Sequence, residues 1–486
     1  MKSFTSGSRM RYRPAECSPV EQRTRRQLLR RIGFGSLGLG LSTLLRKDGR
    51  GATPGRPARA KSCIMIFLFG GPSQLDTWDM KPLSPVEYRG EFQPIATSAP
   101  GVEWCEHLPR SARMAHHVAV VRSLSMTGRG IGDHHADTFY ILTGQKPDRS
   151  FFVEGINRKP HADDWPFIGS TVSWARSRDQ ELPGVVQLPA LSGEVTSYIN
   201  PGQFSGRLGP EHEPFLVRGD LDKPRDLVVP MLQRPAEINL GRLGSRQYLL
   251  QQIDLRPPQP HVAKKPLESF EQYQRKAFSL LTSEKSQKAF DITQEPDHVR
   301  ARFGNDINGQ SVLLARRLVE AGVPFVGVHW IGRRVGAGLS WDTHSDNFGQ
   351  LKNVLLPAFD ACFASLLEDL SDRGLLDETI VLVVGEMGRT PKIGDPRTGG
   401  KGPPGRDHWI HSLPALLAGG GIAVGQIYGS SDAVAAYPAD RPCSPEDLAA
   451  TVYHAMGITS EDLMWTDRIG RPQSLLAEGE PLPLFG

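Results

Sequence analysis

Six short apolar runs, rich in β-branched residues, recur along the chain after residue 60 and restrict its fold most strongly. Each run is continuously apolar rather than alternating, as expected for strands buried on both faces of a sheet. The runs span residues 63–70, 118–124, 184–190, 324–330, 379–386 and 413–419. Helical patterns at residues 311–322 and 355–374 lie between them. The alternation predicts an α/β fold with a doubly wound, mainly parallel sheet and helices on both faces.

The middle of the chain, from about residue 205 to 302, has a different composition. It is rich in charged residues, glutamine and proline, and its pattern indicates helices and loops without a strand. We interpret it as a helical and loop insertion, a cap over the site, rather than an independent domain.

The first sixty residues are typical of a bacterial twin-arginine export signal. Paired arginines, Arg25 and Arg26, precede an uncharged apolar segment at residues 32–45, and Ala58-Arg59-Ala60 follows as an A-x-A cleavage motif. The apolar segment is shorter than the ~20 residues of a membrane-spanning helix. We therefore predict a signal peptide at 1–60, one domain at 61–486, the twin-arginine translocase as a partner during export, no stable membrane span, and a periplasmic or extracellular location. A disordered basic tail is the alternative.

The charge of the chain is divided unevenly between these two parts. Residues 1–60 hold fourteen Lys and Arg against three Asp and Glu, a net charge of +11. Since the whole chain carries +4, the remaining 426 residues carry −7. The mature part lacks the basic excess of nucleic-acid-binding proteins, so no nucleic-acid partner is expected.

Polar side chains that bind metals follow four of the six apolar runs. Sites in open parallel sheets form beyond the carboxyl ends of the strands, so these groups are expected to meet at one edge. The groups are Ser73, Asp76 and Asp79; Asp133, His134, His135 and Asp137; Asp342, His344 and Asp346; and Glu386, Arg389, Arg406, Asp407, His408 and His411.

Burying several carboxylates together is unfavourable unless cations neutralise them, which favours a divalent metal. Mixed carboxylate and imidazole ligands favour zinc or manganese, with calcium or magnesium as alternatives, and one or two ions. The ligand candidates are Asp76, Asp342, His344, Glu386, Asp407 and His408. Each group taken alone also has a structural explanation, such as a turn aspartate, a packed histidine, or pairing of Glu386 with Arg389.

Three cationic residues stand near these candidates: Arg389, Lys392 and Arg406. They are able to bind the anionic group of a phosphate or sulfate ester. Alternatively they only neutralise nearby acids. The sequence leaves both interpretations open.

The motifs together resemble one protein family. The resemblance is carried by GGPSQLDTWDMKP, ILTG, WDTHSDNF, GEMGRTPKI, GRDHW and GGGIAVGQIYGSSD, and it runs from about Cys63 to the C-terminus. This pattern resembles the DUF1501 family, exported proteins of planctomycetes and related bacteria in the alkaline phosphatase/sulfatase-like superfamily. The resemblance implies an alkaline-phosphatase-like fold and a metal-dependent hydrolase of phosphate or sulfate esters.

The resemblance also implies roles for individual residues. Asp76 resembles the metal-binding aspartate after the first strand of the superfamily. Asp342 and His344 resemble an aspartate and a histidine that share a metal, and His408 resembles the last metal-binding histidine. Glu386 stands where the superfamily usually has the aspartate of an Asp-His pair.

Two positions depart from the superfamily pattern. Met387 replaces the histidine of the Asp-His pair. Counting back from Gly144, the position of the nucleophile falls on His134, where sulfatases have cysteine or serine. Either a histidine serves as the nucleophile, or His134 and His135 bind the metal and water attacks; Ser73 and Thr138 are poorer nucleophiles. Catalytic candidates are therefore His134, His135 and Arg389.

These inferences lead to two functional hypotheses. The first is an exported metal-dependent hydrolase of sulfate or phosphate esters, acting on small-molecule or polysaccharide-derived anionic substrates. The alternative, favoured by Met387 and by the lack of the usual nucleophile, is a catalytically inactive metal-binding or assembly protein with the same fold.

Overall fold

The computed structural model describes most of the chain after residue 59. The described residues are 60–176, 181–194, 198–220, 278–332, 340–394, 403–423, 425–467 and 469–485, with a few single positions between 223 and 249. The predicted signal peptide lies outside this part, apart from Ala60. Within the described part, every helix is too short or too polar to span a bilayer.

An eight-stranded sheet forms the centre of the molecule. In chain order its strands are β1 (Ser62–Phe67), β2 (Val118–Leu124), β3 (Val185–Leu188), β4 (Phe215–Leu216), β5 (Phe325–His329), β6 (Thr379–Val384), β7 (Leu413–Ala418) and β8 (Ile427–Tyr428). Across the sheet they are ordered β8-β2-β7-β6-β1-β5-β3-β4. Strand β7 is antiparallel to both of its neighbours, and the other strand pairs are parallel. All six strands predicted from apolar runs are confirmed.

One strand contradicts the prediction that residues 205–302 contain none. Strand β4 is paired in parallel with β3, with Val186 opposite Phe215 and Gln187 opposite Leu216. It is only two residues long and lies at the edge of the sheet, so its sequence is too short to show a strand pattern. Backbone pairing with β3 creates it.

Within the part of the chain that the structure describes, five helices of eight residues or more flank this sheet. They are α1 (His134–Thr143), α2 (Ile168–Arg176), α3 (Ile307–Ala321), α4 (Leu356–Asp372) and α5 (Pro445–Ala455). The two helices predicted at 311–322 and 355–374 are confirmed as α3 and α4. Helix α3 begins earlier than predicted because Asp306 caps its backbone N–H groups, accepting from Asn308 and Gly309.

The helices cover both faces of the sheet, as predicted. Alternate residues of β1 point to opposite faces, so Ile64 and Ile66 belong to one hydrophobic core and Met65 and Phe67 to another. The first core contains apolar residues of α3 and α4, and the second contains those of α1, α2 and α5.

Shorter elements complete the described part. The short α-helices are Val86–Arg89, Pro109–Ala112, Arg149–Glu154, Glu284–Phe290, Asp297–Arg302 and Asn347–Gln350. Two-stranded antiparallel ribbons pair Pro94–Ala96 with Glu103–Cys105, Gly388–Arg389 with His408–Trp409, Ser430–Ser431 with Pro438–Asp440, and Met464–Thr466 with Pro472–Ser474.

Candidate metal centre

Four side chains from three separate chain segments meet beyond the carboxyl ends of the central strands. His134 is the first residue of α1, which begins after β2. Asp342 and His344 lie in the segment that follows β5, and His408 begins the short strand that pairs with Gly388–Arg389 after β6. Each of these four side chains offers one ligand atom, and the four atoms all lie within 4.8 Å of one another. We call His134, Asp342, His344 and His408 the four-residue group.

The contacts inside the four-residue group are short. Nε2 of His344 and Nε2 of His408 lie 2.9 Å and 3.3 Å from Oδ1 of Asp342. The two Nε2 atoms are 3.0 Å apart, and Nε2 of His134 lies 3.4 Å from Oδ2 of Asp342. The four side chains are between 22% and 28% exposed, so solvent reaches the group.

A buried carboxylate orients His134. Nδ1 of His134 lies 2.6 Å from Oε1 of Glu386, and a carboxylate only accepts, so Nδ1–H is the donor. In the neutral form of His134 the lone pair is therefore on Nε2, which faces the group. Glu386 is fully buried and is held in turn by the backbone N–H of Gly70, which donates at 2.8 Å and 3.1 Å to its two oxygens.

Gly70 can approach Glu386 and Asp342 this closely because it has no side chain. Its φ is +110°, and a Cβ at this position would lie 2.2 Å from the backbone nitrogen of Asp342. Only glycine combines that backbone conformation with such a close approach. The glycine after β1 therefore allows the Asp342 segment to pass directly beside the Glu386 carboxylate.

A backbone carbonyl orients His408. Its Nδ1 lies 2.9 Å from the carbonyl oxygen of Gly132 and donates to it, which leaves the lone pair on Nε2. Asp137, fully buried, holds that loop by accepting from the N–H groups of Ile131 and Gly132 at 2.9 Å and 2.8 Å. Burial raises the pKa of Asp137 to about 7. The sequence gives no signal for the Gly132 carbonyl, because every residue has a carbonyl group.

The contact behind His344 is weaker. Nδ1 of His344 lies 3.2 Å from Oδ1 of Asp407, but it is too poorly aligned for a hydrogen bond. Asp407 and Glu386 thus lie behind the histidines rather than in the four-residue group, although the sequence pattern suggested both as ligands.

Opposite charges are coupled across the group. Burial alone would lower the pKa of His134, but Asp342 and Glu386 raise it to about 10. Burial alone would raise the pKa of Asp342, but Arg389 and the three histidine side chains hold it well below its usual range. A divalent cation in this group would favour release of the His134 proton, because it repels the charged imidazolium.

The structure does not bring Asp76 into the four-residue group. Asp76 is fully buried and its Oδ2 accepts from Ser73 at 2.6 Å, from Asn347 at 2.9 Å and from Nε of Arg406 at 2.7 Å. Its Oδ1 accepts from Nη2 of Arg406 at 3.0 Å. These bonds also engage Ser73, one of the poorer nucleophile candidates.

The predicted substrate-binding cations have different surroundings. All five N–H groups of Arg406 donate within the protein, to Asp76 and to backbone carbonyls of Tyr88, Thr390 and Pro391. Lys392 is exposed.

Arg389 is fully buried, and its guanidinium group donates to Asp342 and to the carbonyls of Gly70, Gly71 and Arg406. It is therefore a structural neighbour of the four-residue group, and four of its five N–H donors are engaged within the protein.

His135 turns away from the group that contains its neighbour His134. Its ring meets Tyr198 edge-on, with centroids 6.3 Å apart, and burial lowers its pKa. Its backbone N–H is capped by Asp133 at 2.8 Å. Adjacent helical residues point about 100° apart, so only one of the two histidines faces the strand ends.

The donor set of the four-residue group fits a divalent cation. In their neutral forms, His134 and His408 present Nε2 lone pairs, because their Nδ1–H groups donate to Glu386 and to the Gly132 carbonyl. His344 and Asp342 add a third nitrogen and a carboxylate. Tetrahedral zinc with ligands at about 2.0–2.1 Å has ligands about 3.3 Å from each other, close to the separations here. Imidazole ligands suit transition metals such as zinc, whereas calcium and magnesium prefer oxygen ligands.

The described part of the chain is thus an α/β protein with a mostly parallel eight-stranded sheet, helices on both faces and a possible metal-binding group at the strand ends. The family model described as "Protein of unknown function (DUF1501)" matches residues 60–483, so the chain belongs to that family. The resemblance drawn from the sequence motifs is thereby confirmed. A search of curated proteins finds no match.

Several solved structures are similar at low sequence identity. The PsFucS1 sulfatase from Pseudoalteromonas sp. is 14% identical, with 87% of this chain and 73% of that chain covered and a TM-score of 0.39. Alkaline phosphatase from the Antarctic bacterium TAB5 is 11% identical, with coverages of 82% and 99% and a TM-score of 0.34. The phosphonate monoester hydrolase SpPMH from Silicibacter pomeroyi is 12% identical, with coverages of 87% and 75% and a TM-score of 0.32.

Proposed function

We propose that this protein is an exported metal-dependent hydrolase of sulfate or phosphate esters. Asp342, His344 and His408 would hold a zinc or manganese ion, with calcium or magnesium as alternatives. With His134 kept free for the reaction, these three ligands leave a fourth position open, which is typical of catalytic rather than structural zinc sites. When bound, the ion would act as a Lewis acid that polarises an ester oxygen.

The geometry of His134 is the observation that carries the proposal. Its Nδ1–H is fixed on the buried Glu386, and its Nε2 faces the other members of the group. A histidine oriented by a carboxylate in this way is the usual arrangement of a general base or an activated nucleophile. Its position at the start of α1 is also the one that corresponds to the sulfatase nucleophile.

In the proposed reaction, the Nε2 lone pair of neutral His134 has one of two roles. It attacks the phosphorus or sulfur atom and displaces the alcohol of the ester, and water then releases the phosphate or sulfate from the histidine. Alternatively it takes a proton from a water that displaces the same alcohol. Glu386 stabilises the imidazolium, or the N-substituted imidazole, that results. Arg389 would act through Asp342, which it holds in place and keeps ionised. Lys392, being exposed, is the cation we propose for contact with the substrate anion.

The experiment is a screen of aryl sulfates, phosphomonoesters and phosphodiesters with metal-free protein reloaded with zinc, manganese, calcium or magnesium. We expect activity with at least one ester class, lost in His344→Ala and His134→Ala while both variants stay folded. Rapid denaturing quench and mass spectrometry would separate the two roles of His134, because only a nucleophile becomes covalently modified. Protein that neither contains metal nor gains thermal stability from any of the four would contradict the proposal.

A second function is a catalytically inactive metal-binding or assembly protein. Two observations favour it. Met387 is buried where the superfamily has a histidine, and Arg406 has all its donors engaged. Firm metal binding together with inactivity across the substrate screen would support this function over the first.

We further propose a polysaccharide-derived substrate. Trp409, which directly follows His408, packs against His411 and Tyr437 with ring centroids 4.7 Å and 5.6 Å away. Tyr437 is 46% exposed and lines a cavity of about 530 Å³ with Thr127, which bonds His411 at 2.8 Å. Exposed aromatic faces commonly contact apolar faces of ligands.

The glycan proposal has its own test. Tyr437→Ala should lower kcat/KM for an oligosaccharide ester through KM, while leaving a small aryl ester unaffected. An equal loss on both substrates would contradict a glycan subsite at this position.

Export also remains a proposal. A twin-arginine signal at residues 1–60, use of the twin-arginine translocase and a periplasmic or extracellular location rest on the sequence pattern alone. Replacing Arg25 and Arg26 with lysine should retain the protein in the cytoplasm of its native host.

A further inference from the structure

The net charge around the four-residue group is neutralised by one divalent ion. With the histidines neutral, as ion binding requires, four carboxylates face two guanidinium groups. Two negative charges remain, which is what one divalent cation neutralises. A second such cation would leave two uncompensated positive charges in a largely buried region. The carboxylates are Asp76, Asp342, Glu386 and Asp407, and the guanidinium groups are those of Arg389 and Arg406.

Arg406 supplies the counter-charge of Asp76. The carboxylate and the guanidinium are fully buried and form a bidentate pair, at 2.7 Å for Nε and 3.0 Å for Nη2. Oδ2 of Asp76 also accepts from Ser73 and Asn347, so it has no lone pair left for a metal. Both oxygens of Asp76 are bonded to this guanidinium, so an ion at Asp76 would lie against a buried positive charge whose five donors are all satisfied.

Arg389 supplies a counter-charge for Asp342, as Arg406 does for Asp76. Its Nη2 donates to Oδ1 of Asp342 and to the carbonyl of Gly70, directly between the four-residue group and the turn after β1. The neighbouring Glu386 is engaged by His134 and by the N–H of Gly70. Met387, the next residue, has no nitrogen to offer an ion.

We infer that the centre binds a single divalent ion and that the buried guanidinium groups of Arg389 and Arg406 stand in for a second one. This inference rests on the proposed metal centre and specifies its stoichiometry. Arg389 and Arg406 are thereby assigned as internal counter-cations, and they are not available to clamp the substrate.

Metal stoichiometry of the unaltered mature chain is the first test. Metal-free protein would be reloaded with zinc or manganese, freed of excess ion, and analysed for metal per chain. One ion per chain, and an uncoupled manganese signal in electron paramagnetic resonance, are expected. Two ions, or a spin-coupled manganese pair, would overturn the inference. No bound ion would overturn the metal centre itself, which is a different result.

A pair of variants provides the second test. The charge-neutral double variant Asp76→Asn/Arg406→Met should keep one ion with an affinity within about tenfold of the unaltered chain, because Asp76 is not a ligand. Asp342→Asn should lose the ion. Arg316→Met is the matched control, since Arg316 is also fully buried and ion-paired, with Glu295 and Asp369, away from the group.

Loss of the ion in the double variant but not in Arg316→Met would identify Asp76 as a ligand and overturn the inference. If the double variant does not fold, the stoichiometry of the unaltered chain still decides, because that measurement needs no substitution.

Discussion

Two clusters of charge lie at the same edge of the sheet, and they differ in one respect. The Asp76–Arg406 pair is sealed from solvent, and every donor of the arginine is engaged. The four-residue group is about one-quarter exposed, and its imidazole and carboxylate ligand atoms lie close to one another. Acidic residues after strands occur in both clusters. Solvent access and clustered ligand atoms distinguish the candidate site from the structural pair.

Loss of the buried Asp76–Arg406 pair should lower the stability of the fold more than any other change considered. Asp76→Ala leaves the Arg406 charge buried without a partner, so the free energy of unfolding should fall by about 3–5 kcal/mol, measured by urea denaturation. Expressed as free energies, the change in metal affinity should be far smaller than the change in stability. Arg471→Ala, which breaks the exposed pair with Asp467, is the control and should have a much smaller effect. Unchanged stability in Asp76→Ala would show that the pair is not a structural element.

His344→Ala should have the converse effect on the open cluster. Metal affinity, measured by competition with a chelator, should fall more than about 100-fold, because a ligand is lost rather than an outer-shell partner. The stability of the metal-free protein should change little, since His344 is 28% exposed. His411→Ala, outside the four-residue group, serves as the control. A similar loss in both variants would contradict the assignment of ligands.

Glu386→Gln removes one charge and keeps the shape of the side chain, so it tests how the buried carboxylate affects the pKa of His134. The pKa of His134 should fall from about 10 by more than one unit, or about 1.4 kcal/mol, in metal-free protein. In the unaltered chain the raised pKa stabilises the fold fully below pH ~6.5, and that contribution is lost as the pH rises through about 10. NMR titration of the imidazole measures the shift. An unchanged pKa would mean that Asp342 alone holds the proton.

The smallest effect concerns a sealed histidine. His329, at the end of β5, is 1% exposed, has no hydrogen-bond partner for either nitrogen, and burial lowers its pKa to about 4. Its contribution is complete above pH ~6.5 and declines as the pH falls towards 4, by at most about 1.4 kcal/mol per pH unit. His329→Leu should therefore lose less stability than the unaltered chain between pH 7 and pH 5. Equal losses in urea denaturation at the two pH values would contradict this.

Much of the fold was predictable because it depends on local patterns. Continuous apolar runs predicted all six of the longer strands, and helical periodicity predicted α3 and α4. Strand β4 was missed because two residues carry no pattern and only pairing with β3 defines it. The reversed direction of β7 depends on how the chain returns to the sheet, which apolar runs alone do not indicate.

The candidate site was predictable at the level of residue types and sheet edge. Asp342, His344 and His408 were identified as ligand candidates, and His134 as a catalytic one, and the structure brings these four together. Asp76, Glu386 and Asp407 followed strands in the same way but lie outside the group. Their partners Arg406, His134 and His344 are far away along the chain, so no local pattern distinguishes a ligand from a carboxylate that is already paired.

From the sequence alone follow the order of the six longer strands and of helices α3 and α4, the family, and the set of metal-binding residue types at one edge of the sheet. These properties follow from hydrophobic periodicity and from motifs that are contiguous in the chain. Only the tertiary structure decided which carboxylates are open to a cation and which are neutralised by Arg389 and Arg406. The physical reason is that burial and hydrogen-bond saturation depend on contacts between residues that can be more than 300 positions apart, as for Asp76 and Arg406.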